Sequence, residues 1–270
     1  MKAQILSIGL TAPSLVDFES FKKMMLNNQS PDTSETLEKY SPTFLPANER
    51  RRTTATIKLA LKTAEEALVA FQQTYPEADT KLPVLFVCKD GDTLISARMC
   101  QAVSEEEPMI SPTQFHNSVH NAPAGYWMIG QENQSPASAI SVGEYAIANG
   151  LLEAVLQSQS YGKPVLMVIY DLPLDELMPV DELQKSQAPF AFSMILDACD
   201  LSDKSDYPIL SLSITQDALQ QSLKSNPYMG VPAAEAYPLL QSIALYQAGN
   251  EDCEMNFPLN RNNFIKVSLA

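Results

Sequence analysis

The chain has 270 residues, 45% of them hydrophobic and 19% charged, a balance that excludes intrinsic disorder and allows roughly three quarters of the unfolded surface to be buried. Lys and Arg number 18 against 32 Asp and Glu, so the formal charge is −14. That sign excludes sequence-independent binding to a phosphate backbone and docking on an anionic membrane, both of which need clustered cations.

The opening MKAQILSIGL holds too short an apolar run for a signal peptide, and no run reaches the roughly 18 residues that cross a bilayer. A cytoplasmic chain without membrane insertion is therefore expected. Ala3 to Leu10 alternates and reads as a first strand. Asn28 to Pro46 is rich in Ser, Thr, Pro and Asn without an apolar period, which predicts a long surface loop. A single helix is then expected from about Pro46-Ala47-Asn48 to just before Pro76, because Ile57, Leu61, Ala64, Leu68 and Phe71 fall on one face. Leu82 to Cys88 is a continuous apolar run of strand length, suited to a strand covered on both faces.

A helix from about Glu144 to Ser158 follows, with Ile147, Leu151, Val155 and Ser158 at helical spacing, and then a second apolar strand, Pro164 to Tyr170. Asp171 to Pro189 reads as a Pro- and acid-rich loop. The strand candidates Pro189 to Ala198 and Ile209 to Ile214 lie close enough in sequence to pair antiparallel. A helix from Pro232 to Gln247 and a strand from Phe264 to Leu269 close the chain. Strand, helix and strand of these lengths point to a layered α/β core. With no linker and no short repeat, residues 1–270 read as one domain.

Chemistry-bearing motifs are sparse. None of the nine Gly falls in a dinucleotide, P-loop or nucleophile-elbow pattern. Cys88, Cys100, Cys199 and Cys253 lack Cys-x-x-Cys spacing and a nearby His, and are expected to be reduced and mostly buried. His116 and His120, four apart, would share a helix face, but no Glu stands between them and no third ligand is evident, so neither a metal nor a cofactor is expected. Arg50-Arg51-Arg52 is the one basic cluster, read as a solvated helix start. The acidic excess is greatest from Pro164 to Asn260, where 3 basic residues stand against 14 acidic ones.

The informative block is SPTQFHNSVHNAPAGYWMI, Ser111 to Ile129, followed by PASAISVGEYAIANGLLEAV. It resembles the β-ketoacyl synthases of fatty-acid and polyketide assembly. Ser111, Pro112, Phe115, Ser118, Asn121, Ala124 and Gly125 match that family's lead-in, Ala137 to Val142 its strand, and Tyr145 to Leu156 its buried helix. The resemblance is specific over about Leu82 to Asp171, extends to the N-terminus, and leaves a reduced C-terminal half after residue 171. It implies a thiolase-like layered αβαβα core.

Glu144 stands where the family keeps its nucleophilic Cys. A carboxylate is a far weaker acyl acceptor than a thiolate, and its anhydride would hydrolyse. The family also uses two later residues, usually His, to stabilise developing negative charge, and no His follows Glu144. The resemblance therefore points to a chain length factor, the non-condensing partner of an active ketosynthase in type II polyketide systems. The short length and the LPANERRRTTATIKLALKTAEEAL segment resemble the truncated chain length factors of bacterial aryl polyene pigment pathways.

Such a subunit forms a heterodimer and meets acyl carrier protein through its partner. The resemblance implies that the strand residues Ala137, Ser138, Ala139, Ile140, Ser141 and Val142 pair across the dimer seam. It also implies that Phe115, Tyr126, Trp127 and Met128 lie near that seam, where their bulk would cap the partner's chain tunnel; the plain alternative is that they are ordinary core. Glu144 has a plain alternative as well, as a carboxylate favoured by a helix N-terminus. Two other functions stay open: a decarboxylase that uses Glu144 to prime synthesis from malonyl-carrier protein, and a scaffold that only stabilises the ketosynthase.

Overall fold

A computed structural model describes residues 1–107, 109–173, 188–201, 206–217, 226–228, 230–246 and 254–269. Eight strands form one mixed sheet: β1 (Lys2–Thr11), β2 (Val84–Val87), β3 (Ala137–Ile140), β4 (Val165–Asp171), β5 (Phe190–Asp197), β6 (Ile209–Thr215), β7 (Glu254–Pro258) and β8 (Phe264–Leu269). Their order is β3-β2-β4-β5-β1-β6-β8-β7. The first three run parallel, and every later pairing is antiparallel.

The helices are α1 (Phe18–Leu26), α2 (Ala47–Arg52), α3 (Ala55–Thr74), α4 (Thr93–Val103), α5 (Pro112–Ser118), α6 (Ala122–Gly130), α7 (Ala146–Tyr161) and α8 (Tyr237–Tyr246). On one face of the sheet, α3 and α6 cover Val84, Phe86, Leu166, Val168 and Ile195. On the other, α1, α7 and α8 bury Leu85, Val87, Met167, Ile169 and Phe192. Helix α7 packs chiefly against β4 and also touches β7. This is the layered α/β arrangement expected for a thiolase-like core. Among the described residues, no helix is long and apolar enough to cross a membrane.

Close approach of α3 to the sheet depends on small side chains. A Cβ on Gly9 would lie 2.3 Å from the Thr63 carbonyl oxygen and 2.6 Å from Ser193 Oγ. Ser7 Oγ donates to the Ala67 carbonyl at 2.8 Å and Ser193 Oγ to the Thr63 carbonyl at 2.7 Å. A β-bulge between Ile5 and Ser7 shifts the register of β1, so that Ala3, Ile5, Ile8 and Leu10 all reach the α7 side while Leu6 reaches α3.

Several expectations are corrected. The predicted helix from Pro46 breaks in two, because Thr53 is extended (φ −65°, ψ 138°) and the side chain of Thr54 caps α3 by accepting from the Ile57 N–H. The strands around 190 and 210 do not pair; β1 lies between them and bonds to both. His116 belongs to α5, while His120 lies in the segment after it, so they share no helix face. Cys88 is buried as expected, but Cys100 and Cys199 are exposed. The Asp171 to Pro189 loop falls largely outside the described residues, as do Gln247 and Cys253. The helix from Pro232 opens as a 3-10 turn, Pro232–Ala236, before α8. β7 and the helices α1, α4, α5 and α6 were not expected.

Candidate functional site

β3 is an edge strand, bonded to β2 along one side and, among the described residues, to nothing along the other. Its residues are exposed or half-buried, in contrast to the wholly buried β2. The Val84 N–H donates to the Pro136 carbonyl and the Cys88 N–H to the Ile140 carbonyl. Strand geometry alternates, so Ser138 and Ile140 turn their backbone groups to β2, and Ala137 and Ala139 turn theirs outward. After the strand the chain turns sharply. Ser141 is exposed and its Oγ donates to the Lys89 carbonyl at 2.7 Å. The Tyr145 N–H donates to the carbonyl of half-buried Val142 at 3.1 Å, and Gly143 takes φ +59°. Such a left-handed backbone is strained for any residue with a Cβ.

Gly143–Tyr145 form a 3-10 turn that feeds α7, with Glu144 exposed at its centre. No side chain caps α7, so the carboxylate of Glu144 lies beside an uncapped helix start, where negative charge is favourable. Gly150 lets that helix lie close on the sheet; a Cβ there would meet Ile169 Cδ1 at 2.8 Å.

Two more carboxylates surround this turn, a feature that sequence spacing could not reveal because they come from 171 and 235. Asp171, 4% exposed, accepts from the Lys89 N–H at 2.8 Å and from the Ala233 N–H at 2.9 Å, tying the end of β2 to the 3-10 turn Pro232–Ala236. Burial pushes its carboxyl up to about 6, against the lowering effect of those two bonds. Glu235, on that turn, is solvent-exposed but crowded by surrounding protein; desolvation, then the charges of Glu144 and Asp171, push it up to about 7.

Cys88 is the described thiol closest in the fold to this machinery. Burial and the Asp171 charge hold its thiol protonated, which disarms it as a nucleophile. His120 Nε2 lies 2.9 Å from the Ile140 carbonyl oxygen, so one imidazole does sit at the end of β3, although it precedes Glu144 in the chain. Among the described residues, no group of three His, Cys, Asp or Glu is placed to hold a metal ion.

The four bulky candidates separate. Phe115 is 60% exposed on α5 and Met128 is half-buried. Tyr126 and Trp127 are each 2% exposed in the core beneath α3. The Tyr126 hydroxyl donates to Asn117 Oδ1 at 3.0 Å, and the Trp127 indole meets Phe44 edge-on with centroids 5.5 Å apart. Exposed large apolar side chains gather in the same part of the chain, at Val103, Met109, Ile110, Phe115, Val119 and Ile129.

The chain is similar in fold to the ketosynthase in complex with its chain length factor from Xenorhabdus doucetiae, at 21% identity over 99% of both chains and a TM-score of 0.69. The ishigamide ketosynthase/chain length factor superposes at 0.70, with 10% identity over 100% of this chain and 99% of the other. A type II acyl-carrier protein complex with its ketosynthase bound to the hexaketide gives 0.71 over 100% and 99% of the two chains, at 10% identity. No curated protein matches the sequence. The model of the β-ketoacyl synthase N-terminal domain matches residues 25–258, most of the chain, and the protein belongs to that family.

Proposed function

We propose that this protein is a chain length factor: a non-condensing subunit, one ketosynthase-like unit over residues 1–270, that pairs with an active β-ketoacyl synthase and shapes its chain tunnel in type II polyketide assembly of the aryl polyene kind. The observation that carries this reading is Glu144 at the centre of the turn between β3 and α7, where the family keeps a thiolate. A carboxylate there does not hold a growing chain as a thioester, and the nearby Cys88 is locked as the thiol. Similarity to structures described as ketosynthase and chain length factor complexes supports the same reading.

The partner docks along β3, whose free edge offers the backbone groups of Ala137 and Ala139, with small side chains that permit close approach. The burial of Tyr126 and Trp127 supports reading them as the chain's own core, and Phe115 and Met128 are then the side chains that would limit the tunnel. Acyl carrier protein is met through the partner, in keeping with the charge of −14. The test is product length from the reconstituted pair: Phe115→Ala or Met128→Ala lengthens the product, whereas unchanged products with both variants would reduce the role to a scaffold.

One observation favours a second reading. Desolvation and the nearby Glu144 push Glu235 up to about 7, so it holds a proton that the enolate left by loss of carbon dioxide from a malonyl thioester would take up. Carbon dioxide release from malonyl-carrier protein by the isolated chain, lost on Glu144→Ala, would establish that activity. Its absence leaves the length-setting role.

A further inference from the structure

Two cavities lie side by side along α3, the helix on the face of the sheet opposite α7. One, of about 450 Å³, is acidic, with Asp17, Glu19, Glu65 and Glu66 in its lining against Lys62. Its neighbour, of about 420 Å³, is basic: Lys39, Lys58 and Lys62 line it, with Leu37 and Leu59 as apolar wall and Thr11 at the end of β1. That volume lies in the usual range for small-molecule sites.

Three independent features of the second cavity favour a negative guest. Lys62 is matched by Glu38 at 3.5 Å, but among the described residues no carboxylate pairs with Lys39 or Lys58. On a chain of −14, two unmatched ammonium groups at one cavity are a local reversal of sign. Thr11 is 2% exposed, and its Oγ1 is buried without a hydrogen-bond partner, a condition that native interiors rarely tolerate. Ala55, the first residue of the 20-residue helix α3, lines the same cavity, which adds the positive end of the helix dipole.

We propose that this cavity binds a small organic carboxylate with an apolar body, its charge between Lys39 and Lys58, its body against Leu37 and Leu59, and the Thr11 hydroxyl donating to it. The apolar wall selects against bare inorganic anions, and the acidic neighbour fixes which way the charged end points. Binding would fasten the 37–40 segment to α3, independently of the β3 edge and of Glu144.

The test is calorimetric titration of the full chain with benzoate and hexanoate, with hexylamine and inorganic phosphate as controls. Trp127, the one Trp, gives a second readout, because its partner Phe44 lies in the same packed group as Leu37 and Tyr40. Saturable binding of a carboxylate is expected. Lys58→Met should weaken it at least tenfold with the thermal unfolding midpoint unchanged, and the near-isosteric Thr11→Val several-fold with a midpoint no lower than that of the parent chain. Should Lys58→Met not fold, Lys58→Gln serves. No saturable heat, equal binding of hexylamine or phosphate, or indifference to Lys58 and Thr11 would overturn the proposal.

Discussion

At the scale of single residues, the decisive fact is chemical: the turn before α7 carries a carboxylate, and the thiol near it is protonated. Glu144→Cys in the isolated chain should therefore yield no condensing activity, since a thiolate alone lacks the downstream His that the family employs; measurable condensation would contradict this. Glu144 was legible from the motif that surrounds it. Asp171 and Glu235 were not, because their approach to the turn is a product of the fold. The half-buried clasp made by Glu66 was equally invisible. Its Oε2 accepts from the Leu10 N–H at 2.9 Å and its Oε1 from the Phe18 N–H at 2.6 Å, joining α3 to residues 56 and 48 positions away. Glu66→Ala should cost about 1–3 kcal/mol for each backbone donor left unpaired, read as a lower midpoint in chemical denaturation.

At the scale of elements, the periodic and apolar runs were readable and their pairing was not. β2, β4 and α3 declare themselves by composition, whereas the pairing of β1 with both β5 and β6 depends on contacts about 200 residues apart in sequence. The break between α2 and α3 had a visible signal in Thr54, a good capping residue just ahead of the apolar period that opens at Ile57, with no apolar period in the residues before it. Ser111-Pro112, a capping residue followed by Pro, likewise announces α5, although the same residues first read as a family lead-in. Two substitutions test this level. Gly9→Ala drives a methyl into the Thr63 carbonyl and should destabilise by about 1–3 kcal/mol or more through overpacking. Ala139→Pro removes an outward N–H from an edge strand without breaking its ladder to β2, so circular dichroism should stay native while partner binding is lost.

At the scale of the whole molecule, acidity shapes stability. Burial raises Glu66 to about 8 and Asp171 to about 6, above the ordinary carboxylate range, so the folded state holds these protons more tightly than the unfolded one. That stabilisation is complete at low pH and is lost as pH rises through about 6 and then about 8. Thermal unfolding midpoints should accordingly fall between pH 5.5 and pH 8.5, and Glu66→Gln should flatten the upper part of the slope. The assembly itself is the larger matter. A small-residue edge strand that is unpaired on its outer side among the described residues, exposed apolar side chains from Val103 to Ile129 and a carboxylate on the turn before α7 all suit the proposed half of a pair. Co-expression with an active β-ketoacyl synthase from the same source, followed by size-exclusion chromatography with light scattering, measures this directly: the two chains should elute together at one-to-one stoichiometry, and a stable monomer that ignores the ketosynthase would contradict the proposal.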